Sequence, residues 1–420
     1  MEAMNQRKVI VVGGGAAGMM AALFSAREGA RVTLLERNEK LGKKMYITGK
    51  GRCNVTNAAD LDQFMRVIFR NPRFMYAAFA TLDNRGLMAL IEENGTPLKV
   101  ERGERVFPVS DKSSDIISAL RRALERAGVA VRLNARVSEL LLDGGTCGGV
   151  RLEDGERLTA DAVVLATGGL SYPTTGSTGD GYVMAQQAGH TVQRQLPALV
   201  PIETRESWPA VLMGLSLKNV RLSAFVKGPK KEKKLYSEMG EMLFTHFGIT
   251  GPLVLTLSSL LPEELDGVRL SIDLKPALDA QTLDARMLRD FRAMSNRQLI
   301  TVMDGLEPHS LAEQLLKLAG LSATQPVHSV TAEQRARIVS IVKDLPLTPR
   351  KLRDFNEAVV TRDGVTVKEI DPSTMASRRV SGLYFAGEMM DVDAATGGFN
   401  LQIAFSSGAL AGKSAAVGDC

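Results

Sequence analysis

Three segments of the chain repeat one pattern: an unbroken apolar run, a glycine turn, then a stretch of helix length. The first is KVIVVGGGAAGMMAALFSAREGARVTLLERN, in which Val9 to Val12 carries no polar position. Such a run predicts a parallel strand covered on both faces, since a half-exposed strand would alternate. AGMMAALFSAREG then reads as a helix ending at Gly29, and Arg31 to Leu35 as a second strand closing on Glu36. In the second segment the strand is Ala162 to Ala166, the turn Thr167-Gly168-Gly169, and the helix Asp180 to Ala188. In the third, Leu383 to Ala386 runs into Gly387-Glu388, with Asp391 three residues on. Gly397-Gly398 then opens the helix FNLQIAFSSGALAGKSAA.

Between the second and third segments the pattern changes. From Pro197 onward, alternating runs (LKNVRLSAFVKG, GVRLSIDLKP) predict short strands, and QTLDARMLRDFRAM and SLAEQLLKLAG, within Asp279 to Leu321, have helical spacing. The earlier pattern returns near Lys351. At 420 residues the chain exceeds the size of a single hydrophobic core, so two or three domains are expected.

The turns carry the chemistry. Gly13-x-Gly15-x-x-Gly18 lies directly between a strand and a helix. Gly13 allows the tight turn, Gly15 lets a pyrophosphate reach the backbone, and Gly18 lets the helix pack close to the sheet. With Ala16 and Ala17 they would set a diphosphate at the helix N-terminus, before free N–H groups. Glu36 would accept the ribose hydroxyls, and its charge opposes a 2′-phosphate. Arg37 and Val137 join these as candidate cofactor contacts.

The first motif alone does not separate FAD from NAD. In the third segment, a strand ending in Gly387-Glu388 with Asp391 nearby precedes a helix whose first turn holds Gly398, Asn400, Leu401 and Gln402. An acid there suits the ribityl hydroxyls of an extended FAD, and helix amides suit the flavin edge where negative charge gathers on reduction. Ala166, Thr167 and Gly168 form the remaining turn. Three such turns imply one sheet with its ligand at the strand C-terminal ends, and FAD as the tightly held cofactor.

The loop GKKMYITGKGRCNVTN, Gly42 to Asn57, holds four cations, three glycines and Cys53. Its position after the second strand makes it a cofactor grip rather than an RNA patch. Lys43 and Lys44 are expected near the adenosine and pyrophosphate, and Gly51, Arg52, Cys53 and Asn54 beside the flavin.

Composition adds limits. The net charge of +5 and pI near 9.0 permit an anionic cofactor or RNA and demand neither. Cys53, Cys147 and Cys420 are odd in number and far apart, and His190, His246, His309 and His328 show no metal-ligand spacing. No signal-peptide core and no apolar window near twenty residues is present, so a cytoplasmic protein without metal or membrane span is expected.

The elements GGGAAG, GKKMYITGKGRCNVTN, RVFPVSDKSSDI, ATGGLSYPTTGSTGDGY, LPALVPI, FTHFGITGP, DPSTMAS and YFAGEMMDVDAATGGFNLQIAFSSG run in order over nearly the whole length. With them the chain resembles the BaiN/RdsA family of FAD-dependent oxidoreductases, also described as the HI-type conserved flavoproteins. One departure is VVTRDGV, with Asp363 where a small residue, usually glycine, is expected.

The resemblance implies an α/β fold: a Rossmann-type FAD-binding domain split in sequence, with an inserted β-barrel-like part and a small helical part. The expected bounds are 1–195 and 351–420 for the FAD domain. The insert is expected at 196–350, β-rich over 196–275 and 327–350 and helical over 276–326.

The resemblance also implies a choice of reactions. Relatives reduce uridine in ribosomal RNA (23S) to dihydrouridine, reduce 3-oxo-Δ4 bile acid or steroid enones, or oxidise small primary amines such as aminoacetone. The first two share hydride delivery to a carbon conjugated to a carbonyl, with a proton added next to it. Reduction of rRNA uridine is the preferred expectation; the steroid and amine reactions are the alternatives.

Two catalytic candidates follow. His246, in FTHFGITGP, is either an acid or carbonyl hydrogen-bond donor, or a structural histidine. Cys53 is either an acid with a lowered pKa beside Lys50 and Arg52, or a small residue packed under the flavin. Tyr172 is a weaker third. No second G-x-G-x-x-G occurs, so NAD(P)H is expected as a transient electron donor without its own Rossmann domain. KGPKKEKK, Lys227 to Lys234, is either a surface that tracks RNA phosphates or a solvated hairpin tip, with no aromatic residues interleaved for base stacking.

Overall fold

The expected strands assemble into one parallel sheet. In the computed structural model, which describes residues 6–228 and 231–418, these strands are β1 (Lys8–Val12), β2 (Arg31–Leu35), β3 (Ala130–Arg132), β4 (Ala162–Leu165) and β5 (Leu383–Phe385). They pair in parallel in the order β5-β4-β1-β2-β3. The register sets Val9 between Ala162 and Val32, and Val163 against Leu383. All four residues of β4 are 0% exposed, which is why its sequence is apolar throughout.

Helix α1 (Ala16–Arg27) follows β1, α2 (Asp180–Gln187) follows β4, and α3 (Phe399–Val417) follows β5. Helices α1 and α3 are buried on nearly every side, as their lack of a polar face requires. They pack almost backbone to backbone. A Cβ on Gly408 would lie 2.2 Å from the Ala17 carbonyl oxygen, and one on Gly412 would lie 2.1 Å from that of Ala21. The Ser25 hydroxyl donates to the Gly412 carbonyl at 2.7 Å across the same contact.

This sheet belongs to the unit Met1–Ala198 with Phe355–Cys420; Leu199–Asp354 forms a second compact unit. The second unit carries a seven-stranded antiparallel sheet. Its edge strands, Leu345–Leu347 and Pro349–Leu352, are joined through Thr348 alone, so the two edges meet in a barrel-like arrangement. The alternating runs noted above form Ser216–Val226 and Val268–Asp273, and the helical spacing gives Ala280–Ala293 and His309–Leu318. The strands Ser216–Val226 and Lys233–Thr245 form a long hairpin. Pro229 and Lys230 of KGPKKEKK lie outside the described residues.

Two segments depart from the expected pattern. The stretch 327–350, expected to be β-rich, contains the helix Ala332–Lys343, opened by a capping box of Thr331 and Gln334. Ile338, Val339 and Val342 of that helix share one buried face. PLVLTLSSL, too short to cross a membrane, folds as the helix Pro252–Leu260 with proline in its first turn. No helix among the described residues is long and apolar enough to span a membrane.

Candidate functional site

The strand C-terminal ends open into a cleft with about 1350 Å³ of empty space, part of it continuous with solvent. Val12, Gly13 and Gly15 line it from the β1 turn, and Leu35 to Asn38 from the end of β2. Ala166 to Gly168 follow β4, Gly387 and Glu388 follow β5, and Asn400 and Leu401 belong to the first turn of α3.

The anion end is built from backbone. Gly15 caps α1 with no side-chain hydrogen bond, and the first turn holds no acidic residue. A Cβ added to Gly15 would meet no protein atom within 4 Å, so its backbone faces open space in the cleft. Free N–H groups, a helix dipole and an unobstructed glycine together fit a diphosphate. Glu36, 7% exposed, accepts N–H bonds at 2.7 Å from Gly14 and Asn38. Oε1 also accepts the Asn38 side-chain amide at 2.7 Å, so Oε2, with Gly14 as its one donor, has a further lone pair to offer a ribose hydroxyl. At the far end, Asn400 and Leu401 of the α3 first turn line the cleft, the Asn400 side chain bonds the backbone of Ala394 and Ala395, and no side chain caps the helix.

A family model described as HI0933-like protein Rossmann domain matches residues 7–414. The chain belongs to the HI0933-like family of FAD-dependent oxidoreductases. It is 31% identical to the 3-dehydro-bile acid delta(4,6)-reductase of Clostridium scindens, over 97% of this chain and 99% of that one. It is 30% identical to the ribosomal RNA dihydrouridine synthase of Escherichia coli, over 96% of both chains. The solved 3-ketosteroid-delta4-(5alpha)-dehydrogenase of Rhodococcus jostii, 16% identical, superposes with a TM-score of 0.51 over 99% of this chain and 98% of that one, which shows a common fold.

In this HI0933-like protein Lys44 lines the cleft and is held there by protein partners. Its Nζ lies 2.6 Å from Glu388 Oε2 and 2.5 Å from Ser171 Oγ. Glu388 Oε1 accepts the Ser171 hydroxyl at 2.6 Å and the Thr361 N–H at 2.9 Å. Burial alone would raise the Glu388 carboxyl, but the Lys44 charge and these donors hold it below the usual carboxylate range. Lys43 also lines the cleft, 3.3 Å from both Asn38 and Glu39. Ala16, Ala17, Arg37 and Val137 line it as well.

The remaining sequence candidates do not line the cleft. Gly18 sits behind it, where a Cβ would lie 1.7 Å from the Gly13 carbonyl oxygen. Gly398 packs against Thr56, and the Gln402 side chain bonds Thr56, Leu82 and Ser406 in the core. Asp391 is held by the Asn71 amide. Gly51 and Asn54 stay with the loop, and Tyr172 takes a left-handed turn position, φ 52°.

Arg52 and Cys53 correct the loop reading. Arg52 bonds Asp111 at 2.8 Å and Glu101 at 2.5 Å, and stacks 4.1 Å from the Phe107 ring centroid, outside the cleft lining. Cys53 is 0% exposed, and burial pushes its thiol up to about 12, only partly offset by a hydrogen bond with Thr48. The expected lowered pKa fails because Arg52 is bound elsewhere and Lys50 points its charge into exposed surroundings. His246 belongs to the second unit, exposed at the turn between Lys233–Thr245 and Gly248–Thr250, with its ring edge-on to Phe247 at 4.9 Å.

Sequence reasoning missed several cleft residues. Asp180 binds Arg37 and Arg136, each at 3.0 Å, and all three line the cleft. Asp180 stood in the quoted GSTGDGY and Arg136 directly before Val137, so their neighbours were found and they were not. Thr361 carries two more N–H bonds from Leu170 and Ser171. Asp363, two residues on, has φ 63°, the left-handed region where glycine is favoured, which accounts for the expected small residue.

Proposed function

We propose that the cleft holds FAD and that the protein reduces a carbon–carbon double bond conjugated to a carbonyl, with uridine in ribosomal RNA as the preferred substrate. One observation carries this reading: the open Gly15 backbone, Glu36 and the α3 first turn converge on one cleft. Support for the reaction comes from two full-length relatives, whose names describe a bile acid double-bond reductase and a dihydrouridine synthase. Dihydrouridine is uridine saturated at C5=C6, so both names describe removal of a double bond beside a carbonyl.

When bound, reduced FAD supplies a hydride from N5. The chain's residues do the rest. The α1 amides hold the diphosphate, Glu36 holds the adenosine ribose, and the α3 amides stabilise negative charge at the flavin edge. The Lys44–Glu388–Ser171 group ties three segments into one wall and keeps Glu388 ionised. NADH or NADPH acts as a transient donor, and the basic pI of 9.0 favours RNA over a steroid. The protein is placed in the cytoplasm, where ribosomal RNA is.

The test is anaerobic. FAD-loaded protein reduced with NADH or NADPH is mixed with an unmodified ribosomal RNA fragment or a 3-oxo-Δ4 steroid, and flavin absorbance is followed. Reoxidation by the RNA with dihydrouridine in its mass spectrum supports the preferred substrate; reoxidation by the steroid alone moves the substrate, not the chemistry. Failure of both sinks the reductase reading, and stoichiometric hydrogen peroxide from aminoacetone in air would replace it with an amine oxidase. His246→Ala tests the remaining candidate donor to the substrate carbonyl.

A further inference from the structure

The hairpin of Ser216–Val226 and Lys233–Thr245, in the second unit, carries more positive charge than the whole chain. From Lys218 to Lys234 the sequence holds seven cations and one acid, Glu232, a net of +6. The whole chain carries +5, so everything outside this stretch sums to −1. The basic character of the protein is thus the property of one hairpin.

Elsewhere clustered cations are neutralised by neighbours: Arg52 and Lys99 share Glu101 and Asp111. At the hairpin this does not happen. Lys227, Lys231, Lys233 and Lys234 are exposed and form no ion pair among the described residues. Glu232, the acid in their midst, pairs instead with Arg269 at 3.2 Å, and Arg269 takes Asp344 as well at 3.1 Å. Lys218 and Arg221, further along the first strand, are likewise exposed and without an ion pair among the described residues. Like charges held this close repel one another, a cost that an anionic partner removes.

The scaffold beneath them is fixed. Leu222, Ala224 and Tyr236 are buried in the core of the unit, and the Ser223 and Ser237 hydroxyls meet at 3.0 Å across the two strands. Cross-strand partners share a sheet face, and the register sets Phe225 between Lys234 and Arg269. The Arg269 guanidinium stands 4.5 Å from the centre of the Phe225 ring, which keeps it on that face. A preformed base of this kind loses little freedom when a partner docks. Between Lys227 and Lys234 no aromatic residue is present to stack on a nucleobase, and no large apolar one to enter a bilayer. Such a surface meets phosphates, and it does so without regard to base sequence.

We propose that this hairpin is an RNA-binding arm, in which Lys227, Lys231, Lys233 and Lys234 hold backbone phosphates of ribosomal RNA while Lys218 and Arg221 extend the basic track along the strand. The choice of RNA rests on the substrate proposed above; the grip itself needs no turnover. Each phosphate neutralised releases condensed counterions, so the affinity falls with salt. Four contacts contribute about −3 to the slope of log K against log salt concentration, or about a 60-fold loss of affinity from 50 to 200 mM salt.

The test is fluorescence anisotropy of a labelled, unmodified ribosomal RNA fragment with oxidised, FAD-loaded, full-length protein in about 50–200 mM KCl. Two variants are compared with wild type: Lys227, Lys231, Lys233 and Lys234 all replaced by glutamine, and all four replaced by arginine. The glutamine variant should bind at least tenfold more weakly at the lowest salt, with a slope less steep by about 3. The arginine variant should keep the wild-type slope. None of the four lysines lines the cleft, so FAD content and circular dichroism should match wild type in both. No binding by wild type at the lowest salt, an unchanged slope in the glutamine variant, or equal losses in the two variants overturns the proposal. Binding of phosphatidylserine vesicles through the same lysines, without binding of the RNA, overturns it as well. The turnover assay separates this proposal from the reductase reading. RNA that binds through the lysines but never reoxidises the reduced flavin leaves the arm standing and removes RNA as the substrate. RNA that reoxidises the flavin with the same KM in wild type and the glutamine variant removes the arm and leaves the reductase.

Discussion

Replacing Lys44 by methionine keeps the length of the side chain and removes the only cation within hydrogen-bond distance of Glu388 among the described contacts. Breaking a buried pair by removing one partner costs roughly 3–5 kcal/mol, because the remaining charge is uncompensated. Here the side chains retain 22% and 19% exposure, and Ser171 and Thr361 still donate to Glu388. The expected loss is therefore about 2–3 kcal/mol at pH 7. The pH dependence gives the sharper test. In wild type the Glu388 carboxyl is held below its ordinary value of 4.5, so its contribution is present above that pH and fades as pH falls. Without Lys44, burial dominates and the folded-state pKa rises above the unfolded one, so Glu388 destabilises increasingly as pH climbs through 4.5. The gap between wild type and Lys44→Met should be widest near neutrality and shrink toward pH 4. Urea unfolding followed by far-ultraviolet circular dichroism reads this; tryptophan fluorescence would not, because the single tryptophan, Trp208, lies in the other unit. Glu388→Gln in the Lys44→Met background should restore part of the loss. A loss below about 0.5 kcal/mol, or one independent of pH, would refute the coupling of the two residues.

Three further outcomes are expected. Gly15→Ala, at a position with φ −82° and no neighbour for the added methyl, should fold within about 0.5 kcal/mol of wild type yet bind FAD at least tenfold more weakly by equilibrium titration. Gly412→Ala should cost more than about 2 kcal/mol in thermal or urea unfolding, since its methyl would meet the Ala21 backbone. Cys53 should resist alkylation at pH 8 in the folded protein and react on unfolding, as read by peptide mass spectrometry, because burial holds its thiol up to about 12. Cys53→Ser should leave FAD bound.

The sequence by itself determined the sheet and the cofactor end of the site. Val9 to Val12, Ala162 to Leu165 and Leu383 to Phe385 must be buried on both faces, and a sheet covered by helices is where uninterrupted apolar strands are satisfied. Gly13, Gly15 and Glu36 were legible because turn, helix start and strand end fix their places within thirty residues of chain. Long-range charge pairing was not legible. Lys44 meets Glu388 across 344 residues, and Asp180 meets Arg136 across 44, so nothing in local spacing joins them. The loop from Lys50 to Asn54 misled for the same reason: its cations looked like neighbours of Cys53, but side-chain direction is set by the partners each finds. Arg52 turned to Glu101 and Asp111, and Cys53 turned into the core. Apolar periodicity and glycine turns act locally and survive in the sequence; which buried charges meet is decided only when distant segments close on one another.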